Sequence, residues 1–177
     1  MLQHRGQDAA GMVVCEPSGK LNSRKSKGYV RDVFQQNHMS NLQGNFGIGH
    51  VRYPTAGGIG KEFAQPMYVN TPYGISLAHN GNLTNSKKLA AELFHAERRH
   101  INTDSDSEVL LNIFALELSK QEAVFPKPKD FFAAVEKTHL RINGAYAVVA
   151  LITGYGIVAF RDPLGIRPLT IGVRKGK

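Results

Sequence analysis

A chain of 177 residues, 42% hydrophobic and 20% charged, is long enough to bury one substantial core and short for two. Twenty-two Lys and Arg against 14 Asp and Glu give a formal charge of +8. The basic residues cluster only at residues 24–27 (RKSK) and 97–100 (ERRH), without interleaved aromatics, so the excess reads as solvated surface and not as a nucleic-acid platform. No apolar run approaches the ~20 residues of a membrane span, the N-terminal decapeptide lacks a signal-peptide core, and one cysteine excludes an internal disulfide, so a cytoplasmic globular protein is expected.

In chain order, the apolar run at Ala9–Cys15 (AAGMVVC) reads as a strand, with Cys15 as a structural thiol at its end. A second strand, Phe46–Arg52 (FGIGHVR), closes on Arg52 and leads into a long Gly- and Pro-rich loop over residues 55–74, of the kind that is functional or mobile. Residues 74–79 (GISLAH) form a third strand, followed by Asn80-Gly81, a favoured two-residue turn that hands the chain to a helix over residues 86–97. A second helix opens at Ser105 with Glu108 at capping-box spacing. A third follows the Pro126 and Pro128 punctuation, and strands at residues 145–152 and Gly156–Arg161 close the pattern. Strands, then helices, then strands fit an α+β layered domain better than a regular βαβ alternation.

Several chemistries are excluded by spacing. His95 and His100 are the nearest thing to a metal pair, five residues apart with no H-E-x-x-H, so no metal site is expected. There is no G-x-S-x-G elbow, and "TAGGIG" and "GYGIV" match neither a P-loop nor a dinucleotide fingerprint. What remains lies at strand and helix ends. The Arg52 guanidinium suits a carboxylate, the Asp106 carboxylate suits an ammonium, and an Asn80 amide beside the Gly81 N–H offers two donors for one oxyanion. Together they suit an α-amino acid whose side-chain carbonyl is attacked. Each also has an ordinary role: a surface ion pair, a complement to the helix dipole, and a turn.

At these same positions "LQHRGQDAAG" (2–11), "GHVRYPTAG" (49–57), "LAHNGNLTN" (77–85), "TDSDSE" (103–108) and "FRDPLGIRPL" (160–169) resemble the glutaminase domain of the bacterial amidophosphoribosyltransferase family, over essentially the whole chain. The resemblance implies a class II glutamine amidotransferase on the N-terminal-nucleophile hydrolase fold, a four-layer αββα sandwich of two antiparallel sheets. It implies that an N-terminal cysteine attacks the glutamine amide, its own α-amino group carrying the proton. Asn80 and Gly81 would form the oxyanion hole. Arg52 would grip the α-carboxylate, Asp106 the ammonium, Thr55 would line the site, and Arg5 would support the nucleophile's surroundings.

By the same resemblance residues 1–177 are expected to be a glutaminase domain without its nucleophile segment and first strand, and without the phosphoribosyltransferase domain. Inactivity toward glutamine is expected for the chain as it stands, since Cys15 is internal and has no free α-amino group. No cofactor is expected here, magnesium belonging with the phosphoribosyltransferase domain. The expected partners are L-glutamine, that second domain and further copies in a homo-oligomer, with no nucleic acid and no membrane. Two other readings are a different class II amidotransferase, such as glucosamine-6-phosphate synthase, and a non-catalytic binding module.

Overall fold

The computed structural model describes residues 2–53, 60–121 and 123–174. Seven strands and five α-helices are formed among them. They are β1 (Ala9–Cys15), β2 (Leu21–Lys27), α1 (Val30–Val33), α2 (Gln36–Met39), β3 (Phe46–Arg52), β4 (Met67–Val69), β5 (Ile75–Leu83), α3 (Ser86–His95), α4 (Asp106–Ser119), α5 (Pro128–Arg141), β6 (Gly144–Ile152) and β7 (Gly156–Arg161). Short 3₁₀ turns occupy Leu2–Arg5 and Lys61–Phe63.

The strands make two antiparallel sheets, ordered β2-β1-β3 and β4-β5-β6-β7. Side-chain alternation divides the apolar residues between two interiors. Ile75, Leu77, Tyr146, Val148 and Ala150 face the helices and pack with Leu89, Leu93, Phe114 and Ala134, whereas Cys15, Ile48, Ala78 and Leu151 meet between the sheets. Helix α4 is buried along most of its length because β4 and β5 lie on one side and α3 and α5 on others. Its Glu117 is compensated by Arg141 at 2.6 Å and Lys120 at 3.1 Å. The single-turn α1 packs against β1 and β2 of the smaller sheet. The expected α+β arrangement of two antiparallel sheets with flanking helices is what forms.

Two local expectations are corrected, and one strand forms where none was expected. Asn80-Gly81 is not a turn: β5 runs on to Leu83, with Asn80 opposite Ala147 and Gly81 opposite Tyr146 in the β6 ladder. The nine-residue pairing with β6 outweighs the turn preference of the dipeptide, and Gly81 keeps the ladder intact at φ 154, where an added Cβ would meet the Ala145 carbonyl oxygen at 2.0 Å. The Ser105–Glu108 capping box is not reciprocal. The Ser105 hydroxyl caps Ser107 N, while Glu108 turns back to Asn102 N and Thr103 N at 2.9 and 2.8 Å. Strand β2, "LNSRKSK", carries too few apolar residues to announce itself and forms because β1 supplies a paired edge along all seven residues.

Candidate active site

Residues 46, 48, 50 and 52 of β3 share a face, and Ile48 fixes it as the one turned toward the larger sheet. Arg52 therefore enters the space between the sheets and is 6% exposed. Its Nη1 pairs with the Asp8 carboxylate, its backbone carbonyl accepts from Asp8 N at 3.0 Å, and its guanidinium lies 5.3 Å from the Phe63 ring centroid. A carboxylate held this way fixes the guanidinium plane.

Two residues earlier on the same face, the buried ring of His50 lies against His79 of β5, with its Nδ1 lacking a hydrogen-bond partner among the described residues. Burial, then the neighbouring His79 and Arg52, push the His50 pKa down to about 4, so its ring is neutral at physiological pH. This packing places the C-terminal part of β3 beside the residue immediately before Asn80. Ala78 fixes the even-numbered face of β5 toward the smaller sheet, so Asn80 shares that orientation, exposed at the sandwich end. Its side chain makes no hydrogen bond among the described residues.

The opposite, helix-facing side of β5 holds a polar cluster. His79 is 3% exposed, and its Nδ1 is 3.0 Å from Ser107 Oγ and 3.8 Å from Asp106 Oδ1. Burial lowers the His79 pKa, the Asp106 carboxylate opposes this, and Arg167 adds to it. Gln65 donates from Nε2 to Ser107 Oγ at 3.0 Å and accepts His79 N–H on Oε1 at 2.6 Å. Asp106, at the first turn of α4 behind the Ser105 cap, accepts Leu83 N–H on Oδ2 at 2.9 Å.

The backbone of β5 turns these contacts into a pattern. Even-numbered residues bond β6, as Thr84 N continues to do onto Asn143 O, so the N–H groups of residues 79, 81 and 83 point to the other edge. Strand β4 covers that edge only as far as Leu77, opposite Met67. Beyond it, His79 N–H is taken by Gln65 and Leu83 N–H by Asp106. The Gly81 N–H lies between these two filled positions.

The structure thus sets Asp106 against His79 and Leu83, the residues that flank Asn80 and Gly81 on β5, and places Arg52 on β3, which packs against that strand. Arg5 is exposed on the 3₁₀ turn that packs against β3, one residue before Gly6, whose added Cβ would meet Val51 O at 2.5 Å. Thr55 lies outside the described residues. Cys15 is 1% exposed between the sheets, and burial together with Glu16 pushes its thiol pKa up, which fits a structural residue. A cavity of about 480 Å³ between β2 and β4, lined by Lys25, Tyr68, Ser76 and Thr153, contains none of the site residues. Asp8, His50, Gln65, His79 and Ser107 were not singled out by sequence reasoning; only the placement of His79 next to Asn80 in "LAHNG" hinted at one of them.

Residues 59–177 match the family model described as a glutamine amidotransferase domain. The chain belongs to this glutamine amidotransferase family. It is 61% identical over 174 residues to the amidophosphoribosyltransferase of Pseudomonas aeruginosa, covering 98% of this chain and 34% of that protein. Against the Escherichia coli amidophosphoribosyltransferase identity is 58% over 174 residues, with the same coverage, and against that of Saccharomyces cerevisiae 52%. The solved glutamine phosphoribosylpyrophosphate amidotransferase of B. subtilis superposes with a TM-score of 0.79 at 34% identity, over 98% of this chain and 35% of that one. The chain spans about a third of the length of the curated relatives it matches. Among the described residues no helix of this amidotransferase domain is long and apolar enough to cross a membrane.

Proposed function

We propose that this domain binds L-glutamine and stabilises the attack on its side-chain amide, as the glutaminase part of a cytoplasmic amidophosphoribosyltransferase. The observation that carries the reading is the edge of β5, where Gly81 N–H lies between two occupied donors, one residue after Asn80. Two donors from adjacent residues converge on one oxygen, which is what a tetrahedral intermediate at a former carbonyl requires. Asp106 sits one side of this pair for the substrate ammonium, and Arg52, its plane set by Asp8, serves the α-carboxylate.

In this reading a thiolate other than Cys15 adds to the amide carbon, and the C=O electron pair moves onto oxygen, held by Asn80 and Gly81. The C–N bond then breaks as the nitrogen takes a proton, releasing ammonia and leaving a glutamyl thioester. Water adds to the thioester and frees glutamate and the thiol. Transfer of the ammonia to a phosphoribosyl acceptor belongs to a second domain. Thr55 and Arg5 are placed at the margins, lining the glutamine side and supporting the nucleophile's strand end. None of these steps draws on a metal or cofactor within this domain.

The test is glutamate release from glutamine by the full-length amidotransferase, with Arg52→Ala and Asp106→Ala as variants. Release by the parent enzyme and its loss in both variants are expected. Release that survives both substitutions would remove the proposed substrate site from this face.

A further inference from the structure

Strand β4 pairs Met67, Tyr68 and Val69 with Leu77, Ser76 and Ile75 and stops before Pro66. Carried on in the same register, Gln65 would stand opposite His79. It does so, but with its side chain: Oε1 takes the His79 N–H that a backbone carbonyl would have taken. The amide orientation is chemically fixed, since a backbone N–H only donates; the other end, Nε2, must therefore donate to Ser107 Oγ.

The segment that places Gln65 is itself held at two points. Lys25 Nζ donates to Pro66 O at 3.0 Å, and the Gln65 carbonyl crosses β1 at Gly11, where an added Cβ would be 2.0 Å away. Gln65 is 6% exposed and Ser107 2% exposed, so water does not compete for these bonds.

We infer that Gln65 is a positioning residue for glutamine hydrolysis, fixing the strand that carries Asn80 and Gly81 relative to the helix that carries Asp106. One side chain bonds the residue before Asn80 and the residue after Asp106. Oxyanion donors and ammonium acceptor are thereby held at one spacing, set by the length of a glutamine amide. The inference rests on the glutaminase reading above.

Two measurements test it. In this chain, Gln65→Leu removes both bonds, and amide hydrogen exchange at His79 is expected to accelerate at least tenfold while exchange in the β6 interior is unchanged. Unaltered His79 exchange overturns the clamp. In the full-length amidotransferase, Gln65→Leu is expected to lower kcat for glutamate release at least tenfold and to raise KM. Gln65→Glu keeps an acceptor for His79 N–H and can keep the link to Ser107, whose hydroxyl donates to the second carboxylate oxygen. Its kcat and KM should therefore recover toward the parent's where those of Gln65→Leu do not, a rescue by the conservative variant. A Gln65→Leu enzyme with parental kcat and KM overturns this inference alone; no glutamate release from the parent enzyme overturns it together with the glutaminase reading.

Discussion

Arg52 and Asp8 are joined twice, carboxylate to guanidinium and Asp8 N–H to Arg52 carbonyl, at the point where β3 ends and β1 is about to begin. Both side chains are nearly buried, so the charges are strongly interdependent. Asp8→Ala leaves the guanidinium buried without this carboxylate and is expected to cost about 3–5 kcal/mol, read by urea denaturation. Replacing both charges, as Asp8→Leu with Arg52→Met, should recover more than half of that loss. A double variant no more stable than Asp8→Ala would show that the pair is held by something other than its charges.

Asn80→Ala in the full-length enzyme removes one of the two donors proposed for the oxyanion. The loss expected from such deletions is about 2.7–4 kcal/mol of transition-state stabilisation, or 10²–10³ in kcat, with little change in KM. Asn80 is exposed and makes no side-chain hydrogen bond among the described residues, so its melting temperature should hold. Unchanged turnover would take Asn80 out of the role.

Asp106→Asn preserves an acceptor for Leu83 N–H but removes the negative charge proposed to meet the substrate ammonium. A charged hydrogen bond is worth about 1.5–3 kcal/mol, so KM for glutamine should rise by roughly 10–100-fold. Stability should move little. A parental KM would place the ammonium elsewhere.

Gly81→Ala tests the strand backbone. At φ 154, with the Ala145 carbonyl 2.0 Å from the added Cβ, the ladder between β5 and β6 has to part locally. Destabilisation of about 2–4 kcal/mol is expected by thermal or urea unfolding. Near-parental stability would mean that the strand can shift to admit the methyl group.

The neutral, buried His50 gives the fold an acid-side weakness. The unfolded chain protonates this ring near pH 6.5, whereas the folded one resists until about pH 4. The unfolded state binds more protons across that interval, so the stability contributed is complete above pH 6.5 and is lost progressively toward pH 4. The interval corresponds to roughly 3 kcal/mol. Melts of the parent and of His50→Gln at pH 7 and pH 4.5 should diverge, the parent falling more steeply. Parallel slopes would mean that His50 titrates normally.

How much of this was legible depends on how far each role reaches along the chain. β1, β3 and β7 have the bounds their apolar runs suggest, because each carries enough apolar residues to mark its own limits. β2 and β4 are defined by neighbours, and their sequences show it poorly. Asn80-Gly81 was misjudged as a turn because dipeptide preference is local, whereas the opposing ladder of β6 begins more than 60 residues later. Arg52, Asn80, Gly81 and Asp106 could be picked out as polar residues at or near the ends of apolar runs. Gln65, His50 and Asp8 could not, since their meaning lies in partners 42, 29 and 44 residues away, a separation no spacing rule encodes.

Gly11 lies on β1, a strand that contributes no group to substrate chemistry, yet its missing side chain is the gap through which the Gln65 carbonyl passes. A single methyl at that position would therefore act at a distance: it would displace the crossing segment, let go of His79, and loosen the edge on which the oxyanion is to be caught. Sensitivity of catalysis to so small a group, in the far sheet, is the practical cost of tethering a reaction centre through a notch rather than through a continuous ladder.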